Sequence, residues 1–474
     1  MCGVRLVKKR LSPLDVQRLL PQTNCKECGE ENCMAFATKL VNREAILDQC
    51  TPIMQEKHRP QYERLLAMLR PPVRQVIFGE GPRQKAIGGK YVLYRHEFTY
   101  TNPTVIAVDV TDEMSDQELT SRVETVEEFT YRYIGQDLRL DALAIRSLSE
   151  EPKTFQKVVK NIVSKTDLPI VLCSISPEVI EAGLAAASMN RPLVYAANTS
   201  NWKDMAELSI IYRTPLVASA PQDMDELRSL VRTLVEYGVQ DIVLDPGTFS
   251  TDGLARTVNR FSMIRLAACR QDDSLFGYPI MATPMVVWAN RDELPEILKW
   301  QEACLTAILI TRYADLVVVH GLDGWSLLPN LILRQNLYTD PRKPVAVEPG
   351  IRTLGKAGTS SPLLMTTNFA LTYYTVAADI ESFGLDCHLM VVDSEGLSVE
   401  SAVAGRKLTA EKVADALRQT GVGEKIDHRK LVIPGRAARL SGEIEELSGW
   451  KVLVGPLDSS GLQKFIHEKW AAVQ

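Results

Sequence analysis

Eight short apolar runs, each followed by a segment of helical periodicity, constrain the fold of this chain more than any other feature. Continuous apolar runs of this kind are typical of parallel strands that are buried on both faces. The runs occupy residues 104–110, 140–147, 168–175, 192–198, 214–221, 241–247, 278–284 and 314–321. Eight strand–helix units in about 220 residues predict a TIM-type (β/α)8 barrel. An open, doubly wound sheet is the alternative.

The predicted barrel strands carry polar residues at their carboxyl-terminal ends. These residues are Asp109, Arg146, Ser174, Asn198, Ser219, Asp245, Thr283 and His320. In a barrel these ends face the site, which favours a surface for a ligand or a partner. Polar residues also cap strand ends in proteins without a site there, and no general acid, base or nucleophile constellation stands out. The two interpretations carry equal weight.

A cysteine motif with the spacing C-x2-C-x4-C-x16-C lies near the beginning of the chain. Its members are Cys25, Cys28, Cys33 and Cys50. A 4Fe–4S cluster needs four thiolates, here three from one loop and one from a distant anchor. A structural zinc site usually has two separated CxxC pairs, and this motif has one. We therefore expect residues 1–60 to form a 4Fe–4S domain with a helix that begins at Cys33, with zinc and unligated thiols as the alternatives.

Composition excludes several classes of protein. The hydrophobic share of 45% and the charged share of 24% are ordinary for soluble globular proteins. The net charge of -5 argues against nucleic acid or an anionic membrane as the main partner. The chain has no apolar run of about eighteen residues and no apolar signal core at its start, so we expect a cytoplasmic protein.

The remaining chain divides into a linker, the barrel and a third domain. Residues 61–103 are punctuated by proline and glycine and are predicted to be a linker, either a mobile tether or a firmly packed segment. The barrel is expected over 104–330. In 331–474 five strand-like segments alternate with helical ones, which predicts a small, parallel, flavodoxin-like domain. The five segments are KPVAVEPG, PLLMTTNF, DCHLMVVDSEG, KLVIPGRA and WKVLVGP.

Ligands of such domains bind beyond the carboxyl ends of the strands. In this chain those ends are rich in small, hydroxyl and glycine residues, which allow a large, flat ligand to approach the backbone. Ordinary tight turns are the alternative explanation for the same composition.

At these motifs the chain resembles the large (gamma) subunit of the corrinoid iron–sulfur protein of the acetyl-CoA decarbonylase/synthase (Wood–Ljungdahl) system. The resemblance spans nearly the whole chain. Its most specific segments are the cysteine string with CMAFATKL, then LYRHEFTYTNPTVIAVDVTDE, TTNFALTYY, VDSEGLSVESA and LSGEIEELSGWKVLVGP.

The resemblance implies an α/β chain with a small 4Fe–4S domain, a central TIM barrel and a C-terminal flavodoxin-like, corrinoid-binding domain. It makes Cys25, Cys28, Cys33 and Cys50 the cluster ligands. It also implies a set of corrinoid contacts, namely Ser360, Thr366, Thr367, Val392, Asp393, Ser394, Gly396, Gly455 and Pro456. The family usually has threonine where Ser394 stands, and serine keeps the hydroxyl but lacks the methyl group.

The family chemistry is methyl transfer. The resemblance implies that Co(I) of the corrinoid takes a methyl group from a methyl-tetrahydropterin (methyltetrahydrofolate or methyltetrahydrosarcinapterin) and delivers it to acetyl-CoA synthase. The 4Fe–4S cluster returns Co(II) to Co(I). The implied partners are the small (delta) subunit, a methyltransferase, acetyl-CoA synthase and a low-potential electron donor or reductive activator. No role is expected for nucleic acid or a membrane.

Cobalamin proteins that supply a histidine to cobalt carry D-x-H-x-x-G, and this chain breaks that string. Asp386 and His388 are present, but Val391 stands in the place of glycine. We interpret His388 as structural and expect a base-off corrinoid without a protein ligand. The competing functions are an iron–sulfur electron-transfer protein without corrinoid, a barrel methyltransferase that binds the pterin itself, and a zinc-stapled scaffold.

Overall fold

The chain folds into two compact units in the computed structural model, which describes residues 11–42, 44–97, 99–340 and 344–470. One unit comprises Met1–Tyr131 and Leu138–Tyr338. The other comprises Arg132–Asp137 and Thr339–Gln474. In the described part of the chain, no helix combines the length and the apolar character that a membrane crossing requires.

The first unit begins with three helices around a small apolar core. They are α1 (Pro13–Gln17), α2 (Cys33–Asn42) and α3 (Arg59–Leu69). Helix α2 begins at Cys33 as predicted, and it buries Phe36 and Leu40 against Leu65 of α3. Ile46 lies beyond the helix and is 65% exposed.

A β-hairpin follows α3 and packs against the barrel. Its strands are β1 (Gln75–Phe78) and β2 (Lys85–Gly88), paired antiparallel. Val76, Phe78 and Ile87 are buried in the same cluster as the interior residues of the barrel strands. Of the two alternatives for the predicted linker 61–103, firm packing therefore holds for this hairpin.

A buried ionic cluster ties the segment after the hairpin to the base of the barrel. Lys90 is 3% exposed, and its ammonium lies 2.6 Å from the carboxylate of Asp315, which directly precedes a barrel strand. Arg265 donates to the other oxygen of the same carboxylate. Burial alone would raise the pKa of Asp315, but the two cations hold it below its usual value. Removing either partner would leave an uncompensated buried charge, which is strongly destabilising.

The eight predicted barrel strands are all present. The first barrel strand is β3 (Val105–Thr111). A short separate hairpin follows it, with strands β4 (Thr130–Tyr133) and β5 (Gln136–Arg139). The other seven barrel strands are β6 (Ala142–Arg146), β7 (Ile170–Cys173), β8 (Leu193–Ala197), β9 (Leu216–Ser219), β10 (Ile242–Asp245), β11 (Met281–Ala282) and β12 (Leu316–Val319). The helices between and after them are α4 (Asp116–Glu128), α5 (Pro152–Val163), α6 (Pro177–Ala187), α7 (Trp202–Tyr212), α8 (Met224–Tyr237), α9 (Leu254–Gln271), α10 (Pro295–Thr311) and α11 (Gly324–Leu337).

The sheet closes on itself, so the barrel prediction is confirmed over the open-sheet alternative. All neighbours in the order β10-β9-β8-β7-β6-β3-β12-β11 are parallel. A parallel bridge between Leu244 of β10 and Ile280, just before β11, joins the two ends. The Leu244 amide donates to the Pro279 carbonyl oxygen at 2.8 Å.

The second unit is a three-layer α/β sandwich with five strands. They are β13 (Gly350–Leu354), β14 (Leu363–Thr367), β15 (Cys387–Val392), β16 (Lys430–Ile433) and β17 (Lys451–Val454). The helices are α12 (Ala370–Ser382), α13 (Val399–Ala404), α14 (Ala410–Gln419), α15 (Val422–Lys425), α16 (Ser441–Ser448) and α17 (Leu462–Phe465). Helices α13 to α16 pack on one face of the sheet, and α12 and α17 pack on the other.

The strand order is β13-β15-β14-β16-β17. Its four parallel strands follow the order second, first, third, fourth, which is the flavodoxin-like arrangement. The chain reverses its direction of winding between β14 and β16, and this is the switch point at which such folds bind ligands.

The prediction of a first strand in KPVAVEPG is wrong. Lys343 lies outside the described residues, and within 344–349 there is one bridge, between Ala346 and Phe369. The edge position belongs instead to β13, which runs antiparallel to β15, so the sheet is mixed rather than wholly parallel. Antiparallel edge strands on parallel sheets are common in folds of this kind.

Candidate functional site

The four cysteines of the N-terminal motif lie along a loop, a helix start and a second turn. Cys25 and Cys28 lie in the loop before α2, and Cys33 is the first residue of that helix. Cys50 lies between two short 3-10 turns. Cys33 and Cys50 are buried at 8% and 5% exposure, Cys28 is half-buried and Cys25 is exposed.

The cysteine loop is shaped by left-handed residues and two asparagines. Asn24 and Lys26 have φ values of 46° and 65°, a region that costs free energy for residues other than glycine and that clusters at ligand sites. The Asn24 side-chain oxygen accepts the Cys33 amide at 2.9 Å, and Asn32 accepts the Ala35 amide at 2.9 Å. These two bonds satisfy donors at the helix start and fix where the loop meets α2.

The four thiols are close enough to influence one another. Burial raises the pKa of the Cys50 thiol, and the charges of Cys28, Cys33 and Cys25 raise it further. In the described residues, however, no group of three or more histidine, cysteine or acidic side chains is arranged to hold a single metal ion. The four donors are all cysteines, and they include a single CxxC pair rather than the two pairs that are usual for structural zinc. The donor set therefore fits an iron–sulfur cluster better than zinc.

A cleft lies at the switch point of the second unit. Its volume is about 410 Å³, and it is bounded by the carboxyl ends of β14, β16 and β17 and by helices α12 and α17. Its walls are largely aliphatic, and it extends inward along the sheet as far as Leu364 and Val432. Such a mainly apolar crevice with a few polar groups suits a large organic ligand that inserts one end.

The polar features of this cleft fit the ligand that the sequence implies. Thr366 lines it, and the Thr366 hydroxyl is buried without a hydrogen-bond partner among the described residues. Gly455 and Pro456 line it too. A Cβ atom at Gly435 would lie 2.8 Å from the carbonyl oxygens of Gly455 and Pro456, so glycine there lets the two turns meet backbone to backbone. The orphaned hydroxyl calls for a hydrogen-bond partner, and the bare turns leave room for a flat ligand to approach the backbone.

The turn after β15 is held by a single asparagine, Asn368. Its side-chain oxygen accepts the backbone amides of Ser394 and Gly396, each at 3.0 Å. Its side-chain nitrogen donates to the Asp393 carboxylate at 3.0 Å. The Ser394 hydroxyl is fully buried and donates to the Leu397 carbonyl oxygen at 2.7 Å. Asn368 therefore sets the conformation of the whole turn.

The structure brings most, but not all, of the predicted corrinoid contacts to one edge of the sheet. Thr366, Gly455 and Pro456 line the cleft, and Asp393, Ser394 and Gly396 form the turn at the same edge. Thr367 and Val392 are the buried last residues of β14 and β15. Ser360 is not brought there, since it precedes β14 and lies at the opposite end of that strand.

The corrinoid contacts predicted from the sequence do not include Asn368 or its role in holding this turn. The available signal was an amide directly after a buried parallel strand in TTNF, opposite a turn with Asp393 and Gly396. Asn368 lies 26 positions from Ser394 and 28 positions from Gly396 in the sequence, so no local pattern reveals these hydrogen bonds.

His388 has the contacts of a structural histidine. It is 7% exposed and lies at the beginning of β15, at the opposite edge of the sheet from the cleft. Its Nε2 atom donates to the Gly358 carbonyl oxygen at 3.1 Å. The prediction that this residue is structural is confirmed by these contacts.

The polar strand ends of the barrel form two buried networks. Asp109, fully buried, accepts from Arg146 at 2.7 Å and from Arg122 at 3.2 Å, and it lies 2.6 Å from Nδ1 of His320. Asp245 accepts from Tyr195 at 2.8 Å and from Ser219 at 2.9 Å. These are real constellations that the sequence did not reveal.

The other predicted strand-end residues separate into two groups. Ser174 and Thr283 line a cavity at the barrel mouth together with Arg146. Asn198 instead accepts two backbone amides of its own loop, at Ser200 and Asn201, which is the capping role left open above.

The two sites and the folds that carry them define a class of protein, an iron–sulfur protein in which a TIM barrel is joined to a flavodoxin-like ligand domain. Comparison with known families agrees with this class. Residues 20–52 match the family described as "Putative Fe-S cluster". Residues 75–466 match the family described as "CO dehydrogenase/acetyl-CoA synthase delta subunit".

Two relatives are similar over nearly the whole chain. "Acetyl-CoA decarbonylase/synthase complex subunit gamma 2" of Methanosarcina thermophila is 44% identical over 466 residues, covering 97% of this chain and 98% of the relative. The subunit gamma of Methanothermobacter thermautotrophicus is 43% identical over 459 residues, covering 97% and 99%. The chain therefore belongs to the family of acetyl-CoA decarbonylase/synthase complex gamma subunits.

One solved structure with partial similarity is dihydropteroate synthase of Thermus thermophilus, in complex with 4-aminobenzoate. It is 16% identical, covers 56% of this chain and 100% of its own, and superimposes with a TM-score of 0.39. A similarity at that level carries no argument about this chain.

Proposed function

We propose that the chain is the methyl-carrying subunit of its complex. It binds a corrinoid at the switch point of the second unit and a 4Fe–4S cluster in the N-terminal region. The methyl donor is a methyl-tetrahydropterin, and the acceptor is acetyl-CoA synthase. The observation that carries the proposal is the cleft at the end of β14, with its unpartnered Thr366 hydroxyl and its bare turn at Gly455.

The corrinoid, when bound, supplies a nucleophilic cobalt that accepts and releases a methyl group, which no side chain can do. The residues of this chain have other tasks. The aliphatic walls of the cleft exclude water, and the Thr366 hydroxyl satisfies one polar group of the ligand. The turn of residues 393–397, fixed by Asn368, presents backbone groups beside it.

Asp386 and His388 keep the first part of the D-x-H-x-x-G string. His388 is engaged with Gly358 at the far edge of the sheet, so we propose a base-off corrinoid. Without a nitrogen ligand from the protein, a bound corrinoid would be easier to reduce, which would suit electron transfer from an iron–sulfur cluster.

The proposed ligands of the cluster are Cys25, Cys28, Cys33 and Cys50. The partners are the delta subunit, a methyltransferase, acetyl-CoA synthase and a low-potential electron donor or reductive activator. A cluster held by these cysteines would supply one low-potential electron to the corrinoid.

The test is metal analysis of the full chain after anaerobic purification with its companion subunit. We expect about four irons and about one cobalt per chain, with the absorbance of both groups. Cys28→Ser should lower the iron content and leave cobalt unchanged. Cys304→Ser is the matched control, because Cys304 is an exposed cysteine on α10 outside the motif.

The outcome separates the competing functions. Iron without cobalt would indicate a pure electron-transfer protein and refute the carrier role. Zinc in place of iron, in a colourless protein, would refute the cluster. Pterin binding by a chain that lacks cobalt would favour the barrel methyltransferase.

A further inference from the structure

A separate cavity lies at the amino-terminal end of the barrel, within the first unit. Its volume is about 650 Å³, which falls in the range of small-molecule sites, roughly 300–1,000 Å³. One side is formed by the segment between α3 and β1 and by the start of β1, and the other by the end of α8 and the loop before β10. TIM barrels bind their ligands at the opposite end. This cavity is therefore a product of the segment that precedes the barrel, and not of the barrel alone.

The cavity carries an excess of positive charge. The charged residues that line it are Arg70, Arg74 and Asp241. The Asp241 carboxylate is already paired, because Arg191 donates to it at 2.6 Å. Within the described part of the chain, neither Arg70 nor Arg74 has a hydrogen bond or an ion pair for its guanidinium group. Two guanidinium groups therefore line the cavity without a carboxylate to balance them.

The position of Arg74 is fixed by its main chain and by an aromatic ring. Its backbone amide donates to the Gly277 carbonyl oxygen at 2.9 Å, and its carbonyl oxygen accepts the Gly89 amide at 3.1 Å. Its guanidinium lies over the ring of the buried Tyr278, 4.6 Å from the ring centroid. A guanidinium that covers a ring face keeps N–H donors at its edges. These donors are preorganised, so a ligand that accepts from them has little side-chain entropy to overcome.

The charge of Arg74 is unfavourable without a partner. Burial lowers the pKa of the Arg74 guanidinium, and the like charge of Arg70 adds to that effect. Both effects disfavour the charged form, although an arginine stays protonated at any ordinary pH. An anion in the cavity relieves both of them. Phosphate suits this position best, because its oxygens match the forked geometry of a guanidinium.

Aliphatic side chains form another part of the lining. Val76, Val235 and Val239 line the cavity, together with the neutral polar residues Gln75 and Gln240. A single inorganic phosphate fills only a small part of a cavity of this size. The apolar side chains are suited to the organic part of a ligand, and the two arginines are suited to its charge.

We propose that this cavity binds a phosphate ester, with Arg74 and Arg70 donating to the phosphate and the three valine side chains contacting the organic part. The inference does not rest on the proposed function, because it involves neither the corrinoid cleft nor the cysteine motif. The bound ligand joins the segment after α3 to the base of the barrel, since residues of both line the cavity.

The test is calorimetric titration of the full chain with ADP, which carries a diphosphate and an organic ring system, and with adenosine, which lacks the phosphates. We expect ADP to bind at one site per chain and adenosine not to bind. The affinity for ADP should fall as the ionic strength rises, because the contact is between charges near solvent. Arg74→Met and Arg70→Met should each weaken the binding of ADP by about tenfold.

Arg256→Met is the matched control for Arg74→Met. The Arg256 guanidinium also lies over an aromatic ring, 3.6 Å from the centroid of Phe249, and it lies outside the cavity. This variant should bind ADP as the wild type does. The free energy of unfolding in urea, without phosphate, is the second readout. Arg74→Met should lower it no more than Arg256→Met does, whereas an arginine with a purely structural role would lower it by more.

The outcomes decide the inference in both directions. Binding of ADP that weakens in both cavity variants and persists in Arg256→Met supports it. Failure of the wild type to bind ADP, or equal binding by all variants, refutes it. Equal affinities for ADP and inorganic pyrophosphate would overturn the assignment of a phosphate ester, because the valine side chains would then contribute nothing to binding.

Discussion

Replacement of Asn368 by alanine tests the organisation of the proposed corrinoid cleft most directly. Asn368 is 5% exposed, and its amide makes bonds of 3.0 Å to the Ser394 amide, the Gly396 amide and the Asp393 carboxylate. Alanine removes all of them and leaves two buried backbone donors without a partner. Each such donor costs about 1–3 kcal/mol, so the expected loss of stability is about 2–6 kcal/mol. The turn beside the cleft should lose its fixed conformation when these hydrogen bonds are removed.

The assay combines the free energy of unfolding in urea with the cobalt content of the purified chain. Asn368→Ala should lower both. Asn368→Asp places a second carboxylate beside Asp393 but keeps an acceptor for the two backbone amides. It should therefore lower the free energy of unfolding by less than Asn368→Ala does.

The first unit offers a matched control for this variant. Asn198 also accepts two backbone amides, at Ser200 and Asn201, but in a loop at the end of β8. Asn198→Ala should lower stability without lowering the cobalt content. Full cobalt occupancy and unchanged stability in Asn368→Ala would refute the role assigned to Asn368, and equal cobalt loss in both variants would show that the loss reflects general instability.

Three further predictions concern separate parts of the chain. His388→Ala should retain cobalt, and the Co(II) form of the wild type should show no nitrogen superhyperfine coupling in its EPR spectrum; such coupling would refute the base-off proposal. Gly435→Ala places a Cβ atom 2.8 Å from backbone oxygens of Gly455 and Pro456, so it should cost about 1–3 kcal/mol in urea unfolding and lower the cobalt content. Asp315→Asn leaves two buried cations unpaired and should cost about 3–5 kcal/mol at neutral pH. Folding lowers the pKa of the Asp315 carboxyl, so the carboxylate stabilises the folded chain at any pH above its unfolded-state pKa. That stabilisation is lost as the pH falls through the folded-state pKa, so the free energies of unfolding of the wild type and the variant should converge in acid. A difference that stays constant with pH would contradict this.

The barrel and the helix at Cys33 could be predicted because their signals are local. A parallel strand buried on both faces is a continuous apolar run, and each of the eight runs became a strand of the barrel. Closure is not a local property, and it depends on the bridge between Leu244 and Ile280. The start of α2 could be predicted from the helical periodicity after the third cysteine.

The elements that sequence missed depend on partners far away in the chain. The strand β1 is short and its burial comes from packing against the barrel, so nothing in its own residues separates it from a linker. The bond between His320 and Asp109 spans 211 positions, which is why no constellation stood out among the strand ends. The edge strand β13 has partly exposed residues and lacks the apolar pattern of a buried strand. The sequence pattern therefore predicts a strand in the more apolar segment KPVAVEPG instead.

The position of the cysteines within the N-terminal core links the chemistry of this region to its folding. The core contains eleven buried residues, and two of the proposed ligands, Cys33 and Cys50, are among them. A region of about sixty residues buries too little surface to be more than marginally stable by itself. Thiolates cannot remain charged and buried without a partner, and burial already raises the pKa of Cys50. An iron–sulfur cluster bound by the four proposed ligands would remove that cost and would join the loop before α2 to the turn after it. On this proposed assignment the same four residues serve both the folding of the region and its electron transfer, so we expect a loss of iron to appear first as a loss of structure here.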